Sequence, residues 1–364
     1  MLRKSNSDPV CQLKVGHLKL LIAFFAGCAV TFTIFYFFFR REETNYDWDD
    51  DFDPIYSNYR LPEHSDADLK KIQEQFNKKA TCKSTKEHRE GCTYLTLITK
   101  DDYIELALVL GESIRASASD YSLAAMVTPA VSARGIDLLN RASIKVIKTE
   151  PIPLPASVQP WREYWKETYV KLNMFGLTQY ERVVYLDADS LVMMNLDELF
   201  EQPGEFLTAT DRHLCRHDTE PGSSTMVSVV WPNSERHKEI VGFFNESGYV
   251  FSRGDQSVSE DYFANRHSAS KLDESWSSFV FRCQCADFKG TVGSPDGPKS
   301  VHFTGWFRPH VTSHGVSIPA GLSANAKECG KPYYDHWEAM WQLAIKRQGL
   351  NQDEFLKENI RHSH

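Results

Sequence analysis

The chain has 364 residues, a formal net charge of -8 and 12% aromatic residues. That length admits one large or two smaller domains, at roughly 100–200 residues each. The acidic balance argues against a nucleic-acid binder, because no broad basic face is available to neutralise phosphates. The aromatic content suits a sizeable core and a stacking or sugar-binding surface.

Leu20 to Phe39 carries no charge, and a helix of about 20 such residues spans a bilayer core. A cleaved signal peptide is the alternative. The run is longer than an h-region of roughly 7–15 residues, and Phe35 to Phe39 is bulky where a cleavage site wants small residues. The expectation is an uncleaved signal anchor over 20–39. Arg3, Lys4, Lys14 and Lys19 precede it with only Asp8 opposing, whereas Arg40 and Arg41 are soon followed by Glu42, Glu43 and Asp47. The positive-inside rule then makes 1–19 a cytoplasmic tail and places the large domain outside the cytosol. This describes a single-pass type II arrangement with a lumenal domain, the usual build of proteins of the Golgi membrane, and that location is the expectation. Residues 40–91 are acidic, then mixed in charge, and read as a stem with a helix near Asp66 to Lys79. The folded domain is expected over 92–350 and a C-terminal tail over 351–364.

Of eight cysteines, Cys11 and Cys28 lie before or in the span. Cys82, Cys92, Cys215, Cys283, Cys285 and Cys329 could form bridges in an oxidising lumen. Cys82 with Cys92 is the preferred pair, since they bracket a short polar loop before the first strand. A zinc site at Cys283-Gln284-Cys285 is discounted, because the spacing is wrong and no matching pair follows. Asn245-Glu246-Ser247 is a glycosylation sequon.

Tyr94 to Ile98 reads as the first strand and Asp101 to Ala116 as a helix. Ala124 to Val127 is a second strand, Ser132 to Ala142 a helix and Ile144 to Ile147 a third strand. Pro151, Pro153, Pro155 and Pro160 then break regular structure, and Thr168 to Gly176 gives a further helix. Val183 to Leu186 is a buried strand ending in Asp187 and Asp189. Met226 to Trp231 is another strand, Glu235 to Phe244 a helix, and Arg253 to Gln256 a turn opening a helix through Ala264. Phe279 to Cys283 and Val301 to Phe303 are late strands. Tyr333 to Lys346 is a closing helix with Trp337, Met340, Trp341 and Ala344 on one face. Strand and helix in alternation imply an α/β fold with a mostly parallel central sheet covered on both faces.

Asp187 and Asp189 sit where ligands bind in such a sheet, beyond the carboxyl end of a strand. On extended backbone, residues two apart point the same way, so both carboxylates can reach one cation. Their hard oxygens suit Mg²⁺ or Mn²⁺. The plainer alternative is a pair of capping acids before a loop or helix over Ser190 to Phe200. Downstream, His302 lies in Val301-His302-Phe303-Thr304-Gly305-Trp306-Phe307-Arg308-Pro309. Gly305 allows close backbone approach and Arg308 suits phosphate oxygens; taken alone, His302 is as well explained as a structural residue. Gly254-Asp255-Gln256 reads either as an ordinary helix start or as a carboxylate and an amide for vicinal hydroxyls. Lys171, without context, is a solvated helix lysine.

Together these pieces resemble glycosyltransferase family 8, the glycogenin-like retaining enzymes, in their Golgi type II membrane form. The resemblance covers about Tyr94 to Pro309. It runs through Leu97-Ile98-Thr99-Lys100-Asp101-Asp102-Tyr103, Lys171-Leu172, Tyr185-Leu186-Asp187-Ala188-Asp189, Asn195-Leu196-Asp197-Glu198-Leu199-Phe200, Gly254-Asp255-Gln256, and His302 with Gly305 and Arg308-Pro309. It implies a single Rossmann-like nucleotide-sugar-binding domain of GT-A type. Leu97, Thr99 and Tyr103 would contact uracil and ribose, and Ala188, Gly305 and Arg308 would join them around the nucleotide. Asp187, Asp189 and His302 would hold Mn²⁺ (or Mg²⁺), which also binds the diphosphate of a UDP-sugar. Arg308 and Lys171 would stabilise charge on the leaving UDP, and Asp255 and Gln256 would orient the sugar. The acceptor would attack from the face that UDP leaves, with retention. Ser224-Thr225-Met226 stands where the family has an Asn-Ser-Gly turn, Arg308 replaces a lysine, and His310 replaces an aromatic. The implied function is transfer of a sugar to a lumenal glycan or glycoprotein. The alternatives are a catalytically silent binding protein on the same fold and a metal-dependent phosphodiesterase or nucleotidyltransferase. The last would need a Gly-rich phosphate cradle or a second metal cluster, and the sequence shows neither.

Overall fold

The computed structural model describes residue 82 and residues 91–359, apart from 157, 159, 161–162, 212–214, 216–221, 247–252, 265–268, 289, 291–293, 313–314 and 320–321. The expected cytoplasmic tail, signal anchor and nearly all of the stem lie outside the described residues. So does Ser247 of the sequon.

Strand β1, Cys92–Ile98, is buried throughout. Tyr94 and Ile98 enter one apolar cluster, while Leu95 and Leu97 enter the other. Alternating side chains of one strand therefore feed two cores, which is why the segment reads as continuously apolar. The chain then winds through a 3-10 turn, Asp101–Tyr103, into α1, Ile104–Ala116. It returns as β2, Leu123–Val127, turns into α2, Ala133–Arg141, and returns again as β3, Lys145–Lys148. Ser132, expected as the first helical residue, instead caps α2 by accepting from the Gly135 backbone N–H at 3.0 Å. The helix expected over Thr168 to Gly176 is instead 3-10 winding over Glu163–Gly176. Thr168, Tyr169 and Val170 are poor α-formers, which favours that outcome.

Strand β4, Arg182–Leu186, carries the acid pair at its tip and leads directly into β5, Ser190–Val192. The helix start considered after Asp189 is therefore a short strand, followed by a 3-10 turn over Asp197–Glu201. Then come β6, Phe206–Asp211, β7, Gly222–Val230, α3, Ser234–Glu246, and α4, Asp255–Ala264. Short strands β8, Ala269–Lys271, β9, Ser278–Phe279, and β10, Ser300–His302, follow. The strand expected over Phe279 to Cys283 stops at Phe279 and gives way to a 3-10 turn, Val280–Gln284. A hairpin of β11, His310–Thr312, and β12, Gly315–Ser317, precedes α5, Ala324–Arg347. Residues 352–359, expected within a tail, form α6, Gln352–Asn359, whose Phe355 is buried against Trp341.

The seven-stranded sheet runs β3-β2-β1-β4-β7-β6-β8. Neighbours from β3 through β4 are parallel, β7 is antiparallel to both β4 and β6, and β8 is parallel to β6. The fold is thus α/β with a mixed, mostly parallel sheet, and β4 stands where strand sense changes. Among the described residues, three disulfides join Cys82–Cys92, Cys215–Cys285 and Cys283–Cys329. The first is the pair expected, and the other two use the cysteines for which zinc was discounted.

Glu105 in the first turn of α1 lies 4.0 Å from His310 of β11. Burial pushes its carboxyl up to about 7, against the Val311 backbone N–H, with Asp102 adding to the rise. The folded state therefore holds this proton more tightly than the unfolded state does. The resulting stability is fully present below about pH 4.5 and is lost as pH rises towards 7. Glu105→Gln should match the wild type near pH 4.5 and exceed it by roughly 2–3 kcal/mol at pH 8. Urea midpoints at the two pH values measure the difference.

Candidate metal and nucleotide site

The small sheet of β5, β10 and β9 builds the centre of the site. His302 is in register with Ser190 of β5 and with Phe279 of β9. Ser190 directly follows Asp189, so strand pairing alone brings an imidazole beside the acids across 113 residues of chain. The Phe303 backbone N–H donates to the Asp189 carbonyl at 2.9 Å and extends that register. Asp187 to Ser190 is a tight turn closed by a 3.0 Å bond from the Ser190 N–H to the Asp187 carbonyl. Extended backbone was expected here; the turn achieves the same convergence.

His302 Nε2 lies 2.8 Å from Asp189 Oδ1 and 3.7 Å from Asp187 Oδ2. One ligand atom from each of Asp187, Asp189 and His302 falls within 4.8 Å of the others. Two hard carboxylates and an imidazole at that spacing fit Mn²⁺ or Mg²⁺. His302 Nδ1 is buried and has no hydrogen-bond partner among the described residues. The ring is therefore set by the acids and by Phe279, whose centroid lies 5.4 Å away.

Two cations flank the acids. Lys171 Nζ is 2.7 Å from Asp187 Oδ1 and 3.8 Å from Asp255 Oδ1. It is not the solvated lysine of the plainer interpretation, being 7% exposed. Burial works to strip its proton, but Asp187 and Asp255 outweigh this and hold the ammonium above the usual lysine range. Arg308 Nε donates to Asp189 Oδ2 at 2.7 Å, and its Nη1 reaches the Tyr103 hydroxyl at 3.4 Å. The guanidinium also lies over the Tyr103 ring, 5.1 Å from its centroid. Burial raises the Asp189 carboxyl, yet His302 and Arg308 prevail and hold it well below the ordinary carboxylate range. The Tyr185 hydroxyl donates to Asp187 Oδ1 at 3.0 Å.

Asp255 opens α4 and is buried, with Oδ2 unpartnered among the described residues. Burial lifts its carboxyl above the usual value, with Lys171 opposing. Gln256 donates its side-chain N–H to the Ser223 carbonyl, so the amide is anchored to β7. Gly254 has φ +61, and a Cβ there would collide with Thr168 Oγ1, the atom that accepts the Asp255 N–H. Gly254→Ala should cost about 1–3 kcal/mol, read as a shift in thermal midpoint. Gly305 has φ +55, a conformation that favours glycine, and the space around it is open to a ligand.

The other expected nucleotide contacts fall at the same end of the sheet. Leu97 is buried at the end of β1, Thr99 follows it, and Ala188 is buried between the acids. Sequence reasoning missed Glu167, which accepts the Thr99 hydroxyl at 2.5 Å from 68 residues away. It also missed Glu112 of α1, which accepts from Arg115 and from Arg347 of α5. Neither pairing has a local signature.

Residues 94–254 match the family description Glycosyl transferase family 8, and the match contains the β4 acid pair and Lys171. This stretch is similar to glycosyltransferase family 8. Human glycogenin-2 is 33% identical over 179 residues, 47% of this chain and 34% of that protein. Inositol phosphorylceramide glucuronosyltransferase 1 of Arabidopsis thaliana is 39% identical over 108 residues, 30% of this chain and 20% of that protein. The chain thus spans between a fifth and about a third of the length of these two curated relatives. Among solved structures, galactosyltransferase LgtC in complex with donor and acceptor sugar analogs aligns at TM-score 0.47 and 13% identity, over 66% of this chain and 95% of that one. The matched stretch ends at Gly254; His302 and Arg308 lie beyond it and join the site through β10.

Proposed function

We propose that this chain is a retaining, divalent-metal-dependent glycosyltransferase that moves a sugar from a UDP-sugar to a glycan or glycoprotein acceptor. The observation that carries the proposal is the convergence of Asp187, Asp189 and His302 within 4.8 Å, flanked by Lys171 and Arg308. Asp187, Asp189 and His302 would hold Mn²⁺ or Mg²⁺. When bound, that ion supplies charge neutralisation for the diphosphate.

The chain's own groups do the rest. Held by Asp189 through Nε and by Tyr103 through Nη1, Arg308 would offer its remaining N–H groups to phosphate oxygens. Lys171, buried and charged, adds a second positive centre where charge develops on leaving UDP. Asp255 and Gln256, fixed through Lys171 and Ser223, orient the sugar hydroxyls. UDP is already a good leaving group once its charge is neutralised, so the flanking acid and nucleophile pair of a glycosidase is not needed. The acceptor attacks from the departing face.

The type II Golgi placement is part of this proposal. Three disulfides among the described residues support an oxidising compartment. The test is UDP release by the full chain, purified in detergent, against a panel of UDP-sugars with Mn²⁺. Turnover of at least one sugar supports the reading. UDP-sugar binding with no turnover of any donor, with or without a glycan acceptor, would favour the silent binding protein.

A further inference from the structure

Asp187 and Asp189 each divide their two oxygens between the imidazole and a cation. Asp189 gives Oδ1 to His302 at 2.8 Å and Oδ2 to Arg308 at 2.7 Å. Asp187 turns Oδ2 towards His302 Nε2, 3.7 Å away, while its Oδ1 meets Lys171 Nζ at 2.7 Å. The two acids differ in one respect. Asp187 Oδ1 has a second donor, the Tyr185 hydroxyl, at 3.0 Å.

Strand β4 places Tyr185 for this contact. Leu95 of β1 and Ser228 of β7 stand opposite it in register, and it is buried. Leu186 packs into one core cluster and Tyr185 into the other. Asp187, two residues on from Tyr185, returns to the same side. The Lys171 ammonium also lies over the Tyr185 ring, 5.1 Å from its centroid, where the ring face attracts a cation. One side chain therefore touches both an acid of the metal cluster and the lysine paired with that acid. Burial, with Asp187 and Asp255 close by, holds the phenol far above its ordinary range, so it remains a donor at neutral pH. Packing alone would be met by phenylalanine. A buried hydroxyl needs an acceptor, and this one takes the oxygen that Lys171 already engages. An ammonium acts as a point charge; a second, directional donor on the same oxygen fixes how the carboxylate is turned.

We propose that Tyr185 is a positioning residue for the metal cluster: with Lys171 it occupies Asp187 Oδ1 and leaves Oδ2, the oxygen facing His302, for a divalent ion. Its ring at the same time seats the Lys171 ammonium between Asp187 and Asp255. The inference rests on the metal-dependent reading above and adds a residue that is not itself a ligand.

Calorimetric titration of Mn²⁺ into the full chain, purified in detergent, with and without UDP, tests it for the wild type and Tyr185→Phe. The substitution keeps the ring beside Lys171 and removes only the hydroxyl. Mn²⁺ binding should weaken by about 10- to 100-fold. Donor turnover should fall at limiting Mn²⁺ and recover at saturating Mn²⁺, a rescue that loss of a ligand does not allow. Without metal the thermal midpoint should stay within about 5 °C of wild type, because Asp187 Oδ1 keeps Lys171. A smaller loss of Mn²⁺ affinity overturns the inference, and so does a loss of turnover that saturating Mn²⁺ leaves in place. A larger fall in the metal-free midpoint, or a variant that does not fold, marks the hydroxyl as merely structural and overturns it too. If the wild type binds no Mn²⁺, the metal reading itself has failed and takes this inference with it; if the wild type binds and Tyr185→Phe matches it, only the role of Tyr185 has.

Discussion

Asp189→Asn should reduce UDP-sugar turnover by about 10³-fold or more, with no rescue by added Mn²⁺. Asp189 is the acid on which the site converges: one oxygen meets His302 at 2.8 Å and the other meets Arg308 at 2.7 Å. Asparagine keeps the shape but cannot carry the charge that steadies both partners and a divalent ion. Because Asp189 is 5% exposed, the loss also deprives Arg308 and His302 of the carboxylate they share. That should lower stability by roughly 1–3 kcal/mol. A chelator should reproduce the activity loss in the wild type, and Mn²⁺ should reverse it there and not in the variant. Turnover within a few-fold of wild type in Asp189→Asn, or indifference to chelator, would remove the metal from the mechanism.

Lys171→Met should be the second largest loss, about 10²- to 10³-fold in kcat. The substitution preserves much of the stem that fills the space beneath Asp187 and removes only the ammonium between Asp187 and Asp255. Two effects follow together. Charge on the leaving diphosphate loses a stabilising centre, and Asp255, already raised by burial, loses the partner that opposes this rise. Initial-rate kinetics with a donor that the wild type turns over measures the first. A kcat within threefold of wild type would show that Lys171 holds the acids in place and does no more.

Much of this arrangement was legible in the residues alone. The apolar run into Asp187 marked β4 because both faces of a central strand are buried, and Arg253-Gly254-Asp255-Gln256 marked a polar turn opening a helix, where Gly254 adopts φ +61. What stayed hidden has physical reasons. In β6, Phe206-Leu207-Thr208-Ala209-Thr210-Asp211 mixes small and polar residues, so neither alternation nor an apolar run announces it. Helix α6 shows one strong anchor, Phe355, among charged neighbours. The shortened β9 reflects Cys283 and Cys285, whose bridges draw the chain out of the sheet towards α5 and Cys215. Glu167 with Thr99, and Glu112 with Arg347, are contacts made by topology, and no local pattern encodes them. His302 was legible only as part of a motif; its pairing with Ser190 explains why the motif works.

The placement of Cys283 and Cys285 carries a consequence for how the protein is made. Two covalent ties leave the polypeptide two residues apart and anchor it to quite different regions, one at Cys215, after the acid pair in sequence, and one on α5. Exchanging the two sulfurs would shift the chain by two residues ahead of β10, the strand that delivers His302. Correct oxidation of this couple is therefore a quality-control point for the reaction centre, although none of the three cysteine-bearing segments contributes a group to it.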